Sequence, residues 1–266
     1  MNILGYILLF TFLGSVISLV GGVLLLISKK FTLKISHYLS AFAAGTLLGV
    51  AFFDLLPESL KEMEHLREEG VTHSTSSGQV GEVNIFLWVL VGVLIFFLLE
   101  RFIHHHDQSE NPGEKNVVVP LIVVGDTVHN FIDGVAIAAT FLISIPLGIV
   151  TTLAVAAHEI PQEIADFGLM LSKGVKRSKV LWINFFSALS ALLGAILTYI
   201  YKESIEGWLP VILAITAGFF IYIAAANLIP EIHSRDNKRV AFWETTALFI
   251  GVLVIYFVVS SLEGIH

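Results

Sequence analysis

The sequence predicts an all-α polytopic membrane protein with eight spanning helices. Its 266 residues are 56% hydrophobic and 14% charged, with a mean hydropathy of +0.84, whereas a soluble domain carries about 25% charged residues. The charges cluster in short loops between long apolar stretches. This composition excludes a soluble domain of useful size, and it offers no basic patch for nucleic acid.

Eight stretches have the length of about 20 mostly apolar residues that crosses a bilayer as a helix. They cover residues 2–28, 37–57, 84–103, 117–142, 147–171, 180–201, 208–230 and 241–262. The first stretch lacks the basic start of a secretory signal and exceeds the usual apolar core of about 7–15 residues. We therefore interpret it as a span and residues 1–266 as one transmembrane domain.

The basic residues indicate the orientation. Of the 15 lysines and arginines, twelve lie in or at the edges of the loops that follow the first, third, fifth and seventh spans, and only Lys61, Arg67 and Lys202 lie on the other side. By the positive-inside rule those loops are cytoplasmic and both termini face outward. The long outer loop is 58–83. The long inner loop, 104–116, begins with His104, His105 and His106, which form either a solvated interfacial cluster or a loose metal-catching tract.

A short internal repeat links the second and seventh spans. Asp54-Leu55-Leu56-Pro57-Glu58 resembles Asn227-Leu228-Ile229-Pro230-Glu231, and Ala44-Gly45 matches Ala217-Gly218 at the same offset. These two spans run in opposite directions, so the pattern predicts an inverted repeat, which is a common construction of transporters. The alternative is chance, combined with the tendency of helices to end near proline.

Two polar runs interrupt the fourth and fifth spans. At about 100° per residue, each run falls on one side of its helix. The fourth span presents Asp126, His129, Asn130 and Asp133, and the fifth presents His158, Glu159, Gln162, Glu163 and Asp166. A tight turn at residues 144–146 makes the two helices antiparallel neighbours, which brings the two polar faces together.

Buried carboxylates and imidazoles at membrane depth cost several kcal/mol unless they are paired or coordinate an ion. A single buried histidine is commonly a hydrogen-bonding group between helices, but nine polar side chains on two facing stripes favour a divalent cation. The chain has no cysteine, so its ligands are nitrogen and oxygen, which suit zinc and its divalent neighbours. Gly134 and the alanines near it allow neighbouring helices to approach closely.

The motif HNFIDG, followed 23 residues later by HEIPQEIADFG, resembles the paired signature of the ZIP (Zrt/Irt-like) family of divalent-metal transporters. It is most similar to the subgroup whose second motif opens with His-Glu-Ile-Pro. The resemblance covers essentially the whole chain. It implies a 3+2+3 helix arrangement, two adjacent metal positions on the fourth and fifth helices, and a homodimer.

The resemblance also implies a set of ligands. The primary position corresponds to His129, Asp133, His158 and Glu163, and the secondary position to Asn130, Asp133, Glu159 and Glu163. Two features depart from the family pattern. Some members carry a further carboxylate on the sixth helix, where residues 189–194 offer none, and Gln162 stands where close relatives often have histidine.

The implied function is transport of divalent cations across the lipid bilayer toward the cytoplasm, expected at the plasma membrane. Zinc is the first expected substrate, with iron, manganese and cadmium as others, and no cofactor is required. Asp54 and Glu58 are candidates for guiding entry. On the inner side, Asp126, Asp166, His233 and His104 to His106 are candidates for receiving the ion. Each of these residues is equally open to interpretation as an interfacial helix-end group.

Two other functions are compatible with parts of the pattern. An intramembrane metalloprotease would use His158-Glu159 as the start of HExxH, but Gln162 occupies the position of the second histidine. An ion-coupled carrier of organic solutes would need a roomier pocket and discontinuous helices. Export in place of import stays open as well, because the sequence indicates orientation and not the direction of flux.

Overall fold

The computed structural model describes residues 2–68, 84–104, 115–172, 174–230 and 238–263, and within these ranges the prediction of an all-α chain is confirmed. The helices are α1 (Ile3–Ile27), α2 (Lys29–Val50), α3 (Leu56–Glu68), α4 (Ile85–His104), α5 (Lys115–Ile143), α6 (Ile145–Ser172), α7 (Arg177–Ile200), α8 (Lys202–Ile205), α9 (Leu209–Tyr222) and α10 (Lys238–Glu263). Two π-helical turns, Ala51–Leu55 and Ile223–Leu228, extend α2 and α9, and a 3-10 turn, Glu206–Trp208, precedes α9.

Many large apolar side chains face outward, as expected for helices in lipid. On α10, for example, Phe242 is 64% exposed and Phe257 is 63% exposed. Five helical stretches of the described residues are long and apolar enough to cross a membrane: Ile3–Ile27, Ile35–Leu66, Arg177–Ile200, Lys202–Leu228 and Arg239–Ser261. The chain is therefore a multi-pass membrane protein. The count of eight spans stays a prediction, and two of the remaining helices, α5 and α6, carry the polar runs.

The helices extend beyond two of the predicted boundaries. We expected a linker before residue 37 and a loop from residue 58, but α2 begins at Lys29 and α3 continues to Glu68. Pro57 does not stop the helix, which continues from Ile35 to Leu66. It closely follows the π-helical turn Ala51–Leu55, where the backbone hydrogen bonds already depart from the α-helical pattern. The buried Ser59 hydroxyl then donates to the Pro210 carbonyl oxygen at 2.7 Å, which fastens α3 to the start of α9.

Glycines allow three helix pairs to cross at very short range. A Cβ at Gly134 on α5 would overlap the carbonyl oxygen of Ala191 on α7, and a Cβ at Gly194 on α7 would overlap the carbonyl oxygen of Phe131 on α5. The same reciprocal contact occurs at Gly45 of α2 with Gly251 of α10, and at Gly92 of α4 with Gly218 of α9. The predicted close approach at Gly134 is thus confirmed.

The connection between α5 and α6 positions the polar residues. It consists of one residue, Ser144, whose hydroxyl oxygen accepts a hydrogen bond from the Leu147 N–H at 3.3 Å. So short a connection forces the two helices to run antiparallel side by side. The prediction that they are neighbours is confirmed, and their polar faces meet near the middle of both helices.

Candidate metal centre

Four side chains from α5 and α6 converge in the buried interior. They are His129 and Asp133, one turn apart on α5, and His158 and Glu159, adjacent on α6. All four are nearly inaccessible, with exposures of 6%, 4%, 0% and 1% in that order. One donor atom from each lies within 4.8 Å of those of the other three. This cluster is called the imidazole group below.

The atoms of the imidazole group are spaced as metal ligands are. The two Nε2 atoms of His129 and His158 lie 3.1 Å apart. His129 Nε2 is 3.2 Å from Glu159 Oε1 and 3.7 Å from Asp133 Oδ2. His158 Nε2 is 3.3 Å from the same Asp133 oxygen and 3.7 Å from the same Glu159 oxygen.

These separations fit a tetrahedral ion. Zinc binds nitrogen and carboxylate oxygen at about 2.0–2.2 Å, so the edges of its coordination tetrahedron measure roughly 3.3–3.6 Å. The five separations range from 3.1 to 3.7 Å. An ion could therefore be bound with side-chain shifts of a few tenths of an ångström, which is a small reorganisation for a buried site.

A hydrogen bond to the backbone determines which ring nitrogen of His158 carries the proton. His158 Nδ1 lies 3.1 Å from the Ala154 carbonyl oxygen, one turn earlier on α6. A carbonyl oxygen only accepts, so Nδ1 carries the proton in this hydrogen bond. The lone pair of the neutral ring is then on Nε2, which is the atom that faces Asp133 and His129. Such a second hydrogen bond is the usual way of orienting a metal-binding histidine.

A second cluster lies beside the first and consists only of carboxylates. Asp126 on α5 and Glu159 and Glu163 on α6 place donor oxygens within 4.8 Å of one another, and all three residues are buried. This cluster is called the carboxylate group. Glu159 belongs to both groups and is therefore the side chain that connects them.

Two aromatic side chains from other helices cover the imidazoles. The ring of Phe96 on α4 meets His129 edge-on, with ring centroids 5.3 Å apart and an interplanar angle of 80°. Phe220 on α9 packs against His158 with a centroid distance of 5.9 Å. These rings keep the neighbourhood of the imidazole group apolar, which strengthens charge interactions within it.

The grouping differs in one respect from the arrangement that the family resemblance implies. Glu159, and not Glu163, is the α6 carboxylate that lies among the two histidines and Asp133, while Glu163 lies with Asp126. Asn130 is buried, and its amide nitrogen donates to the Asp126 side chain. The assignment of individual ligands therefore stays a prediction.

The auxiliary candidates are more dispersed. Gln162 and Asp166 are half-buried on α6 and belong to neither group. Asp54 lies in the first π-helical turn, and Glu58 pairs with Lys61 at 3.2 Å in the first turn of α3. The predictions for His105, His106 and His233 fall outside the described residues, as does the side chain of His104.

Sequence reasoning missed the polar contacts that hold α7 against the site. The Ser190 hydroxyl donates to the Thr127 carbonyl oxygen at 2.7 Å, and the Thr127 and Ser187 hydroxyls share a hydrogen bond at 3.1 Å. The signal was present as a stripe of small polar residues on α7, where Asn184, Ser187 and Ser190 are three residues apart and buried. No pattern in the sequence indicated that Phe96 and Phe220 pack against the two histidines.

Apolar outward-facing helices and a buried cluster of metal-ligating side chains define the class of this protein. It is a multi-pass membrane protein with a candidate site for a divalent cation inside its helical core. A model of the ZIP zinc transporter family matches residues 4–118 and 104–259. The chain belongs to the ZIP zinc transporter family.

Named relatives agree with the family match. Zinc transporter ZIP13 of Pongo abelii is 34% identical over 226 residues, covering 81% of this chain and 64% of the relative. Zinc transporter ZIP13 of Mus musculus is 32% identical over 248 residues, covering 81% of this chain and 68% of the relative. Zinc transporter SLC39A7 of Mus musculus is 28% identical over 290 residues, covering 80% of this chain and 60% of the relative. The chain thus spans about two thirds of the length of these relatives.

Proposed function

We propose that this protein transports divalent metal cations, with zinc as its first substrate, through the site on α5 and α6. The observation that carries the proposal is the convergence of two imidazole nitrogens and two carboxylate oxygens at tetrahedral ligand spacing. The names of the relatives, all zinc transporters, support the choice of metal. Iron, manganese and cadmium are further candidate substrates, because the same donors accept them.

Eight spans in a 3+2+3 arrangement with an inverted repeat form the proposed architecture. Gly45 and Gly218, which match in the sequence repeat, both lie at close helix crossings, and both are followed by a π-helical turn. The crossing of α2 with α10 corresponds to the crossing of α9 with α4 when α2 is matched to α9 and α10 to α4. An inverted repeat with a two-fold axis between its halves would produce this correspondence. The HEIPxE subgroup and the homodimer are also part of this proposal.

Uptake toward the cytoplasm is the proposed direction. The loops that carry most lysines and arginines are assigned to the cytoplasm, which places Asp126, Glu163 and Asp166 on the inner side of the histidines. An ion leaving the imidazole group would thus meet carboxylates next. The plasma membrane is the predicted location, and surface labelling of intact cells tests it.

The metalloprotease alternative finds no support in this geometry. It requires a second histidine one turn after His158, and Gln162 at that position lies outside the imidazole group. The carrier of organic solutes would need room for a larger substrate, but Phe96 and Phe220 pack directly on the imidazoles.

Liposome flux is the decisive experiment. Purified protein reconstituted into vesicles is expected to accumulate zinc, and a panel of iron, manganese and cadmium ions ranks the other substrates. His158→Ala and Glu163→Ala are expected to reduce the flux to that of empty vesicles while the protein stays folded and membrane-inserted. Wild-type rates in either variant would remove that residue from the mechanism.

Zinc binding is expected to weaken in acid. Imidazole must lose its proton before it binds a metal, and its unperturbed pKa is about 6.5, so protons compete increasingly as the pH falls below about 6. Zinc titrations of the purified protein between pH 7.5 and 5.5 measure this effect. An affinity that is constant across the range would contradict imidazole coordination.

A further inference from the structure

The two imidazoles of the imidazole group are held in different ways. His158 is oriented by the backbone, since its Nδ1 donates to the Ala154 carbonyl oxygen at 3.1 Å. Among the residues that the structure describes, His129 has no such bond at Nδ1. Its polar contacts are made by Nε2, which lies 3.1 Å from His158 Nε2 and 3.2 Å from Glu159 Oε1. The backbone therefore fixes one ring and not the other.

An imidazole without a backbone bond can turn about its Cβ–Cγ bond, because that torsion is broad and roughly two-fold. Half a turn of the His129 ring would put a ring carbon where Nε2 now lies, and carbon does not bind a metal in this way. A ligand that turns has to be ordered when the ion binds, and this ordering lowers the affinity. A tight site therefore needs another restraint on His129.

The ring of Phe96 on α4 supplies this restraint. Its centroid lies 5.3 Å from that of His129, with an interplanar angle of 80°. The ring of His158 makes a second contact with His129, also at 5.3 Å and 80°. Perpendicular contacts of this kind are a preferred geometry of aromatic pairs. Rotation of the His129 ring would break both, so the packing resists it.

Helix α9 holds Phe96 in place. The rings of Phe219 and Tyr222 pack on it with centroid distances of 5.5 and 5.6 Å. One turn further along α4, the Glu100 carboxylate accepts a hydrogen bond from the Tyr222 hydroxyl. With its nitrogen oriented toward α4, the Asn227 amide donates to the same carboxylate at 3.1 Å. These contacts fix α4 against α9, so the ring of Phe96 stays on the imidazole.

We propose that Phe96 is a positioning residue of the metal centre, and that its ring keeps His129 turned so that Nε2 faces the other donor atoms of the imidazole group. The proposal rests on the proposed function and deepens it, because it names a side chain that does not touch the ion and yet sets how firmly the ion is bound. Phe220 packs on His158 at 5.9 Å. Its ring matters less, because Ala154 already orients that imidazole.

A comparison of Phe96→Leu with Phe220→Leu tests the proposal. Leucine keeps each position apolar and removes the ring. The full chain is purified in detergent and titrated with Zn²⁺. Phe96→Leu is expected to weaken zinc binding about tenfold, as residues that orient a metal ligand typically do, and Phe220→Leu less than about threefold. Wild-type affinity in Phe96→Leu would overturn the proposal. Equal losses in the two variants would overturn it as well, because the rings would then act only as an apolar cover.

Phe141→Leu is the control for the loss of a buried ring. Phe141 is 1% exposed on α5, and its ring packs against Tyr6 and Phe10 of α1. Its zinc affinity is expected to equal that of the wild type. If Phe96→Leu does not give monodisperse protein, Phe96→Met removes the same ring with an unbranched side chain that fills irregular gaps, and the same tenfold loss is expected.

Zinc flux into liposomes separates positioning from damage to the fold. Phe96→Leu is expected to raise the KM for zinc about tenfold and to leave the maximal rate per folded protein within about twofold of the wild type, because the change weakens binding and not the later steps. A lowered maximal rate with an unchanged KM would show a structural role and would overturn the proposal. Absence of zinc flux in the wild type would overturn the proposed function instead, and the zinc titrations would still test Phe96.

Discussion

Glu159→Gln is expected to abolish metal flux. Glu159 is the side chain that belongs to both the imidazole group and the carboxylate group, so the substitution removes a negative charge from both groups at once. The loss of zinc affinity is expected to be at least about 100-fold, since even residues that only support ligands are worth 10–100-fold. Zinc titration and liposome flux measure it.

The substitution of Glu159 by glutamine is chemically small, so its effect on flux can be attributed to the lost charge. Glutamine keeps the shape of the side chain and loses only its charge, so folding is not expected to suffer. Glu203→Gln, the same change at an exposed position on α8, is the control for expression and reconstitution. Residual flux above one tenth of the wild-type rate in Glu159→Gln would show that the negative charge of Glu159 is not required for transport.

Gly134→Ala is expected to destabilise the fold by at least about 3 kcal/mol, the upper part of the usual range for overpacking. The added Cβ would overlap the Ala191 carbonyl oxygen of α7. A backbone atom in a helix cannot turn aside as a flexible side chain can, so α5 and α7 would have to separate. Because Gly134 follows Asp133 directly, the separation would also displace a carboxylate of the imidazole group.

Gly168→Ala is the matched control on α6. The nearest atom to a Cβ there is Leu25 Cδ2 at 3.9 Å, an ordinary van der Waals contact, and alanine favours a helix over glycine by about 1 kcal/mol. Thermal unfolding of the two variants in detergent compares them. A Gly134→Ala variant as stable as Gly168→Ala would mean that α5 and α7 are not in close contact in the membrane.

The composition of the site was accessible from the sequence because its geometry is local. Helical periodicity places His129 and Asp133 on one face of α5, and the tight turn predicted at residues 144–146 places α6 against it. Neither step needs information from distant parts of the chain. The sequence did not separate Glu159 from Glu163 as the partner of the histidines, because both lie in the same broad sector of α6. The rotation and tilt of the packed helices decide between them.

The sequence by itself determined that apolar helices cross a membrane, that two of them are adjacent, and that these two carry imidazole and carboxylate side chains at their centre. Only the tertiary structure decided that Glu159 links the two groups, that Asn130 holds Asp126, and that Phe96 and Phe220 cover the imidazoles. The physical reason is the distance along the chain over which each effect acts. Hydrophobic length and helical period act over a few turns of one helix, whereas these contacts depend on how whole helices pack and on the rotamers that the packing allows.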